Sequence, residues 1–320
     1  MIKNIIIALL LCAPINSAIA DNVVLNLADE SITKLSQKKW IHGAEDCNTN
    51  HDPLIEVYQF DQTSYILRQN KCTTFEAPFI YVLFGKESVL VLDTGAIEDT
   101  EKSPIYQTIL KLLREQPEAS HNNNIIVLHT HGHGDHYKGD IQFVGKPNAN
   151  VIGTNMNAIT EYFGFDQWPE GIANIELGNR KILVIPTPGH QEEAISLYDP
   201  QTKWLLTGDT FYPGYIYIKD WSVYRQSIDR LTQFISTHEV NAILGTHIEM
   251  KESGRDYYAF GSTYQPDEAS LILTTENLTD LNNALLKQTK EKEIVFDDYI
   301  IKPMNFIQKS ISNMSRRLMQ

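Results

Sequence analysis

A cluster of metal-competent side chains lies near the middle of the chain, in the segment His129–His136. Within six residues it places three imidazoles, those of His131, His133 and His136, beside the carboxylate of Asp135. Neutral imidazoles and carboxylates are the ligands that Zn²⁺ takes in catalytic sites. Because protonated histidines at this spacing would repel one another, a shared cation relieves the cluster. The pattern therefore predicts a metal site; the alternative is a polar surface loop that is rich in histidine.

The residues around this cluster predict where the fold places it. The run Asn124–Leu128 is short, apolar and β-branched, which is typical of a buried strand. The histidines therefore follow the end of a strand, where layered α/β proteins commonly carry catalytic residues. Gly132 and Gly134 lie between the histidines, and because they have no Cβ atom the backbone can wrap closely around an ion.

Four further segments, together with the histidine cluster, resemble the metallo-β-lactamase superfamily in their type and order. In each of them an apolar run is followed closely by a histidine or an aspartate. They are Val89–Gly95 with Asp93, Lys181–His190, Trp204–Thr210 with Asp209, and Ile243–His247. The resemblance covers roughly residues 55–250, and it implies a metal-dependent hydrolase.

The resemblance implies two neighbouring metal sites that share one carboxylate. The first would leave a coordination position open for water, as catalytic zinc sites do. The implied ligands are His131, His133 and His190 for the first ion and Asp135, His136 and His247 for the second, with Asp209 between the two.

Taken singly, the residues outside the cluster have ordinary alternatives. His190 after Pro-Gly also fits a turn, Asp209 also fits the cap of a helix or turn, and His247 also fits an exposed histidine. Asp93 and Thr130 are predicted to bind no metal but to hold ligand histidines in orientation through hydrogen bonds. For Asp93 the alternative is a plain turn at the end of a strand.

Two positions indicate which metal the chain binds and which subgroup of the superfamily it resembles. Di-iron oxidoreductases of the superfamily have a glutamate where this chain has His133, and imidazole suits zinc better than a carboxylate-rich iron pair. One group of true β-lactamases has a cysteine where this chain has Asp209. The resemblance therefore implies two Zn²⁺ ions per chain and the hydrolysis of thioesters, lactones or phosphoesters rather than dedicated antibiotic degradation.

The resemblance also implies a mechanism, in which a hydroxide that bridges two zinc ions attacks an acyl carbonyl. Asp135 would bind metal and orient this nucleophile. Tyr212 lies three residues after Asp209, the spacing at which lactone-hydrolysing members place a tyrosine beside the substrate carbonyl. Its phenol would then stabilise the developing oxyanion. A tyrosine packed in the core is the alternative.

We therefore interpret the chain as an exported zinc hydrolase of an ester, a lactone or a related small acyl substrate. Three alternatives stay open: a β-lactamase, a periplasmic metal-binding accessory protein with little hydrolytic activity, and an iron-dependent oxygenase of sulfur compounds. The fold alone does not distinguish them. The cationic glutathione-binding elements of a glyoxalase II are not recognised after the metal-binding segments, which weakens a thioesterase interpretation.

Residues 1–20 have the features of an export signal that is removed. Lys3 precedes an apolar run at residues 5–12, and Ala18-Ile-Ala20 provides the small residues of a cleavage site. The apolar run is too short to span a bilayer, and no other segment approaches that length. We therefore expect a periplasmic or secreted protein. In an oxidising compartment Cys47 and Cys72 would form a disulfide, with two free buried thiols as the alternative.

The overall charge of the chain disfavours nucleic acid as a partner. The formal net charge is −13 at pH 7, and such an acidic surface disfavours binding to a nucleic-acid backbone. A small-molecule acyl substrate is the expected partner.

The pattern of apolar runs predicts an α/β protein with two strand-rich halves, each followed by helices. Ser103-Pro104 is expected to cap a helix, and a second helix is expected over Trp221–Ile235. Two packed sheets with helices outside fit this order, and the resemblance names the fold a four-layer αβ/βα sandwich with the metals at one edge of the sheets. Strands are expected at Ile55–Tyr58, Tyr65–Arg68, Phe79–Phe84 and Val89–Leu92, and near residues 180–185, 194–198 and 204–206.

The catalytic domain is expected over residues 21–300, followed by an amphipathic helical tail at residues 301–320. The segment 261–268 is expected to cover one side of the site. The tail's apolar stripe fits packing on the domain itself, a homodimer contact or a membrane surface. The stripe consists of Met304, Ile307, Ile311, Met314 and Leu318, at spacings of three and four.

Overall fold

The computed structural model describes residues 30–116, 124–288 and 290–319. The predicted export signal lies outside these residues. So do the side chains of Ile311, Met314 and Leu318 from the predicted tail stripe. Among the described residues, no helix is both long enough and apolar enough to cross a membrane.

The first half of the chain forms a six-stranded sheet in which neighbours along the chain are neighbours in space. The first four strands are antiparallel, and the fifth and sixth continue in parallel with the fourth. The strands are β1 Ile55–Gln59, β2 Ser64–Gln69, β3 Phe79–Phe84, β4 Ser88–Leu92, β5 Asn124–Leu128 and β6 Ala149–Val151. Strands β2, β3 and β4 are buried along their whole length because both faces of the sheet are covered.

The second half forms another six-stranded sheet and a small three-stranded sheet. The strands of the large sheet are β7 Ala173–Glu176, β8 Lys181–Pro186, β9 Ile195–Asp199, β10 Trp204–Gly208, β12 Ala242–Gly245 and β13 Ile272–Leu273. The small sheet consists of β11 Tyr215–Ile218, β14 Ile294–Val295 and β15 Ile300–Pro303. In space the strands follow the orders β13-β12-β10-β9-β8-β7 and β11-β15-β14.

Helices flank the sheets and lead into the site. They are α1 Ile105–Glu115, α2 Gly134–Tyr137, α3 Met156–Phe163, α4 Trp221–Ile235, α5 Thr275–Lys287 and α6 Phe306–Met319. Short 3₁₀ turns lie at Cys47–Thr49 and Lys138–Gln142, and residues 30–36 are also helical.

Side chains alternate between the two faces of each strand, so each large sheet contributes to a core on both of its faces. Phe79, Tyr81 and Leu83 of β3 face the core between the two large sheets, while Ile80 and Val82 face the core beneath α1. The opposite face of the second sheet packs against α4 and α5. The predicted four-layer αβ/βα sandwich is therefore confirmed, with the layers in the order helix, sheet, sheet, helices.

Two local expectations differ from the structure. Ser103 does not cap α1: the cap position is Pro104, and the Ser103 hydroxyl instead accepts a hydrogen bond from the buried side chain of Gln69. The tail does not begin as a helix at residue 301, because Ile300–Pro303 pairs in parallel with β11. The helix begins at Phe306, and Ile307 of the predicted stripe is 68% exposed.

A disulfide joins Cys47, in the first 3₁₀ turn, to Cys72, directly after β2, with an S–S distance of 2.10 Å. The structure thus has the cysteine pairing expected from the sequence. The bond closes a loop with a sequence separation of 25 residues, which restricts the unfolded chain.

Replacing both Cys47 and Cys72 with alanine should lower the free energy of unfolding by about 3.5 kcal/mol, because the unfolded chain regains the entropy of the open loop. Urea denaturation of the oxidised protein and the double variant measures the difference. As a control, reductant should shift the midpoint of the wild-type protein and leave that of the variant in place. Equal stability of the oxidised protein and the variant would contradict the prediction.

Candidate metal centre

The predicted ligands converge because four strands end at the same edge of the two large sheets. The histidine cluster follows β5, and its last members lie in the short helix α2. His190 follows β8, Asp209 follows β10 directly, and His247 follows β12. Side chains from distant parts of the sequence therefore meet where the strands end and the loops begin.

The first group consists of His131, His133, His190 and Asp209. The Nε2 atom of His131 lies 2.9 Å from Nδ1 of His133, and Nε2 of His190 lies 3.2 Å from the same atom. Three ring nitrogens thus face one point, as three imidazole ligands of one ion would.

The second group consists of Asp135, His136, His247 and Asp209. One carboxylate oxygen of Asp135, Oδ2, lies 3.4 Å from Nε2 of His136 and 3.2 Å from Nε2 of His247. In each of the two groups, the ligand atoms lie within 4.8 Å of one another.

Asp209 belongs to both groups. Its Oδ2 atom lies 3.8 Å from Nε2 of His131, 3.7 Å from Nε2 of His190 and 3.6 Å from Nε2 of His136. The other oxygen accepts a hydrogen bond from the Thr246 hydroxyl. This carboxylate is therefore held between the two groups, in the position expected of a bridging ligand.

In two of the histidines, the second ring nitrogen is held by a backbone carbonyl outside the centre. Nδ1 of His190 lies 2.8 Å from the backbone oxygen of Tyr217, and Nδ1 of His247 lies 3.1 Å from that of Glu76. Since a carbonyl oxygen only accepts, Nδ1 carries the proton in both rings. Nε2 then presents its lone pair to the centre, which is the form that binds a metal.

Asp93 and Thr130 hold His131 and His136. Oδ2 of Asp93 lies 2.9 Å from Nδ1 of His136, and the other Asp93 oxygen accepts from the Thr130 backbone N–H at 2.8 Å. The Thr130 hydroxyl lies 3.2 Å from Nδ1 of both His131 and His136. Both residues are buried and contact ligand histidines rather than the centre of either group.

The charges in the centre are strongly coupled. Burial, together with the neighbouring histidines, holds the pKa of His131 well below its ordinary value and lowers that of His133 to about 3. For His247, burial alone would lower the pKa, but Asp209 and Asp135 raise it to about 9. Burial opposes the charge of Asp209, yet nearby His247 and His136 hold its pKa well below the usual range. Protons on histidines such as His247 thus balance the negative charge of the carboxylates. A divalent cation would displace these protons.

The donor set fits a pair of zinc ions. Nε2 of His136 is buried, has no hydrogen-bond partner, and faces the carboxylates of Asp135 and Asp209. A buried polar atom without a partner is costly, and a metal ion would use its lone pair. Imidazole nitrogens and carboxylate oxygens, four groups to each site, match the ligands and the coordination number of zinc.

The Tyr212 side chain is buried, with 4% exposure, beside this centre. Its hydroxyl donates to the Glu249 carboxylate at 3.2 Å and lies 3.3 Å from the Tyr215 backbone oxygen, and its ring packs on His247 at 5.6 Å between centroids. Burial and then Glu249 raise the pKa of the phenol well above its ordinary value. These contacts favour the packed alternative; the oxyanion role stays a prediction.

Two nearby features bear on the centre. Gly261, Ser262 and Gln265, from the segment expected to cover one side of the site, line a small cleft together with His247. Gln191 was not identified from the sequence: its amide nitrogen is placed 2.6 Å from Nε2 of His133 and 3.1 Å from the Ser312 hydroxyl of α6. Its position directly after His190 was the only signal in the sequence.

The chain matches known proteins over the segment that carries this centre. The family model described as the metallo-beta-lactamase superfamily matches residues 73–262. The acyl-coenzyme A thioesterase MBLAC2 of Homo sapiens is 27% identical over 188 residues, 50% of this chain and 65% of that protein. The hydroxyacylglutathione hydrolase of Brucella ovis is 34% identical over 86 residues, 27% of this chain and 33% of that enzyme. The matches therefore span less than two thirds of either relative.

A solved structure, the metallo-beta-lactamase from Pontibacter korlensis, aligns with 73% of this chain and 100% of its own, with 19% identity and a TM-score of 0.44.

Replacing Asp93 with asparagine should weaken zinc binding by about 10- to 100-fold, because the amide lacks the charge that orients His136. Asparagine is the matched substitution, since Asp93 has a φ of 66° and asparagine tolerates this left-handed region. Competition with a chromophoric chelator measures the affinity. Asp61→Asn, in the β1–β2 turn, is the control and should bind zinc as the wild type does; equal affinity of the Asp93 variant would contradict the assignment.

Proposed function

The chain belongs to the metallo-beta-lactamase superfamily, and from this premise we propose that it is a dizinc hydrolase that cleaves an ester, a lactone or a related acyl compound. The observation that carries the proposal is the position of Asp209, whose Oδ2 atom lies within 3.8 Å of ligand nitrogens from both groups. A carboxylate shared in this way supports two adjacent ions rather than one.

Each group would hold one zinc ion, the first through His131, His133 and His190 and the second through Asp135, His136 and His247. When bound, the metal pair supplies Lewis acidity and water of lowered pKa. The protein's own part is to orient these groups. Asp135 is also close enough to both His136 and His247 to keep its carboxylate at the inner face of the centre.

Acyl substrates are supported by the two relatives, which are named as an acyl-coenzyme A thioesterase and a hydroxyacylglutathione hydrolase. Both names describe cleavage of an acyl group from a carrier. Since fold does not determine substrate, a panel of leaving groups is needed to identify the scissile bond.

The purified chain should contain about two zinc ions and hydrolyse at least one class in a panel of esters, lactones and thioesters. His131→Ala should lose one ligand of the first ion, so we expect turnover to fall below detection while the circular dichroism spectrum is retained. His51→Ala, an exposed histidine, is the matched control and should keep full turnover. Zinc content is measured by plasma mass spectrometry.

Three outcomes would contradict this assignment. Full zinc occupancy without turnover across the panel would favour a metal-binding accessory protein, and rapid cleavage of nitrocefin with none of the acyl substrates would favour a β-lactamase. Retained turnover in His131→Ala would remove the proposed centre from the reaction.

We also propose that the protein is exported. The Cys47–Cys72 disulfide supports this, because such bonds persist in oxidising compartments. Expression with its own leader in a Gram-negative host should place the chain in the periplasmic fraction. Intact mass analysis should then give a mature chain that begins at Asp21. A cytoplasmic chain that retains Met1 would contradict the proposal.

A further inference from the structure

A cavity of about 600 Å³ lies beside the metal centre, a volume in the range of small-molecule sites. Its walls come from four parts of the fold: the region of α3 and the loop after it, the loop around His190, the start of α4, and the helix α6. The match to the family model ends at residue 262, so α6 is a wall that the matched segment does not contain.

The cavity adjoins the centre directly. Gln191 lines it, and the amide nitrogen of the same side chain is placed 2.6 Å from Nε2 of His133. Gly189, which precedes the ligand His190, also lines the cavity. A molecule bound here would therefore extend from the metal centre toward α6.

One part of the cavity wall is apolar. Met156 of α3, Trp168 and Val223 of α4 line it together. The Trp168 ring is held in place, because its indole N–H donates to the Glu192 backbone oxygen at 3.1 Å. Such a wall suits the hydrocarbon part of an acyl group.

Another part of the wall is cationic. Lys219 is 9% exposed, and its Nζ atom is buried and makes no hydrogen bond. The carboxylate of Glu192 lies 3.3 Å from it, but the Glu192 side chain is half exposed to solvent. Lys309 of α6 also lines the cavity, 3.5 Å from the half-exposed Glu291. The Asp220 carboxylate, which also lines it, is occupied at the start of α4, where it accepts from the Val223 N–H at 3.0 Å.

A buried ammonium that makes no hydrogen bond, and whose nearest carboxylate is half exposed to solvent, is costly, and a ligand oxygen that accepts from it would lower that cost. We propose that the cavity binds the part of an acyl substrate distant from the scissile bond, and that this part is a hydrocarbon chain ending in an anionic group. The chain would lie against Met156, Trp168 and Val223, and the anion would accept from Lys219 with Lys309 beside it. The orientation of the substrate in this inference rests on the proposed hydrolase function, but binding of the anionic chain to the cavity can be measured without hydrolysis.

The first experiment measures binding to the zinc-loaded protein by calorimetry. Hexanoate, hexanedioate and 6-phosphonohexanoate share one carboxylate and chain length and differ only at the far end. The wild type should bind both doubly anionic compounds about tenfold more tightly than hexanoate, as expected for a charge-assisted hydrogen bond. The tighter of the two identifies the terminal group as carboxylate or phosphoryl.

The variant Lys219→Gln should lose this tenfold preference and keep its affinity for hexanoate. Lys309→Gln should lose a smaller part of the preference, and it replaces the first variant if that protein does not fold. Lys203→Gln is the matched control, since Lys203 pairs with Glu239 outside the cavity, and it should bind all three compounds as the wild type does.

The second experiment compares hydrolysis of p-nitrophenyl hexanoate with that of the mono-p-nitrophenyl ester of hexanedioic acid. Lys219→Gln should raise KM for the anionic ester about tenfold and leave kcat and the neutral ester unchanged.

Equal affinity of the wild type for all three ligands, or an unchanged preference in Lys219→Gln, would overturn the anionic subsite. Absence of ester hydrolysis with the binding preference intact would overturn the hydrolase function and leave the subsite standing.

Discussion

The site depends on the accumulation of buried ionisable groups around one carboxylate. Asp209 is almost fully buried, and ligand nitrogens from several strand ends lie close to its Oδ2 atom. Desolvated carboxylates and imidazoles at such distances are costly unless protons or a cation neutralise them. The sandwich sustains this cost because the cores on both sides of each sheet hold the strand ends in place. The stability of the rest of the fold therefore compensates for the free-energy cost of the buried charged site.

The ligand histidines are oriented by backbone carbonyls and by buried side chains. Tyr217 of β11 and Glu76, in the segment after the disulfide, each place a carbonyl oxygen against a ligand histidine. Asp93 performs the same task with a charged side chain, at the end of β4. Because a carbonyl can only accept, these contacts select the imidazole tautomer before any metal is present. The centre is therefore preorganised by elements that do not themselves bind the ion.

The sequence predicted the fold well, and it predicted the surroundings of the centre poorly. Strands such as Phe79–Phe84 and the helix Trp221–Ile235 follow directly from local apolar periodicity. The convergence of His190 and His247 could be expected only through the superfamily resemblance, since no local pattern brings distant strand ends together. Contacts such as that of Gln191 with α6 depend on tertiary packing and leave no periodic signal. The misplaced cap at Ser103 has the same cause, because a buried tertiary hydrogen bond with Gln69 replaced the local one.

The segment beyond the family match shapes the space around the centre. The strand Ile300–Pro303 pairs with β11, and this pairing anchors the chain just before α6 begins. Helix α6 then reaches back to the loop after His190 through the contact between Ser312 and Gln191. Because α6 lies after the segment that carries the ligands, substitutions in this wall of the cavity would not disturb the strand ends that hold the ligands. For this reason the residues that select a substrate are expected in α6 and its facing loop, whereas the residues that hold metal remain in the sheets' shared edge.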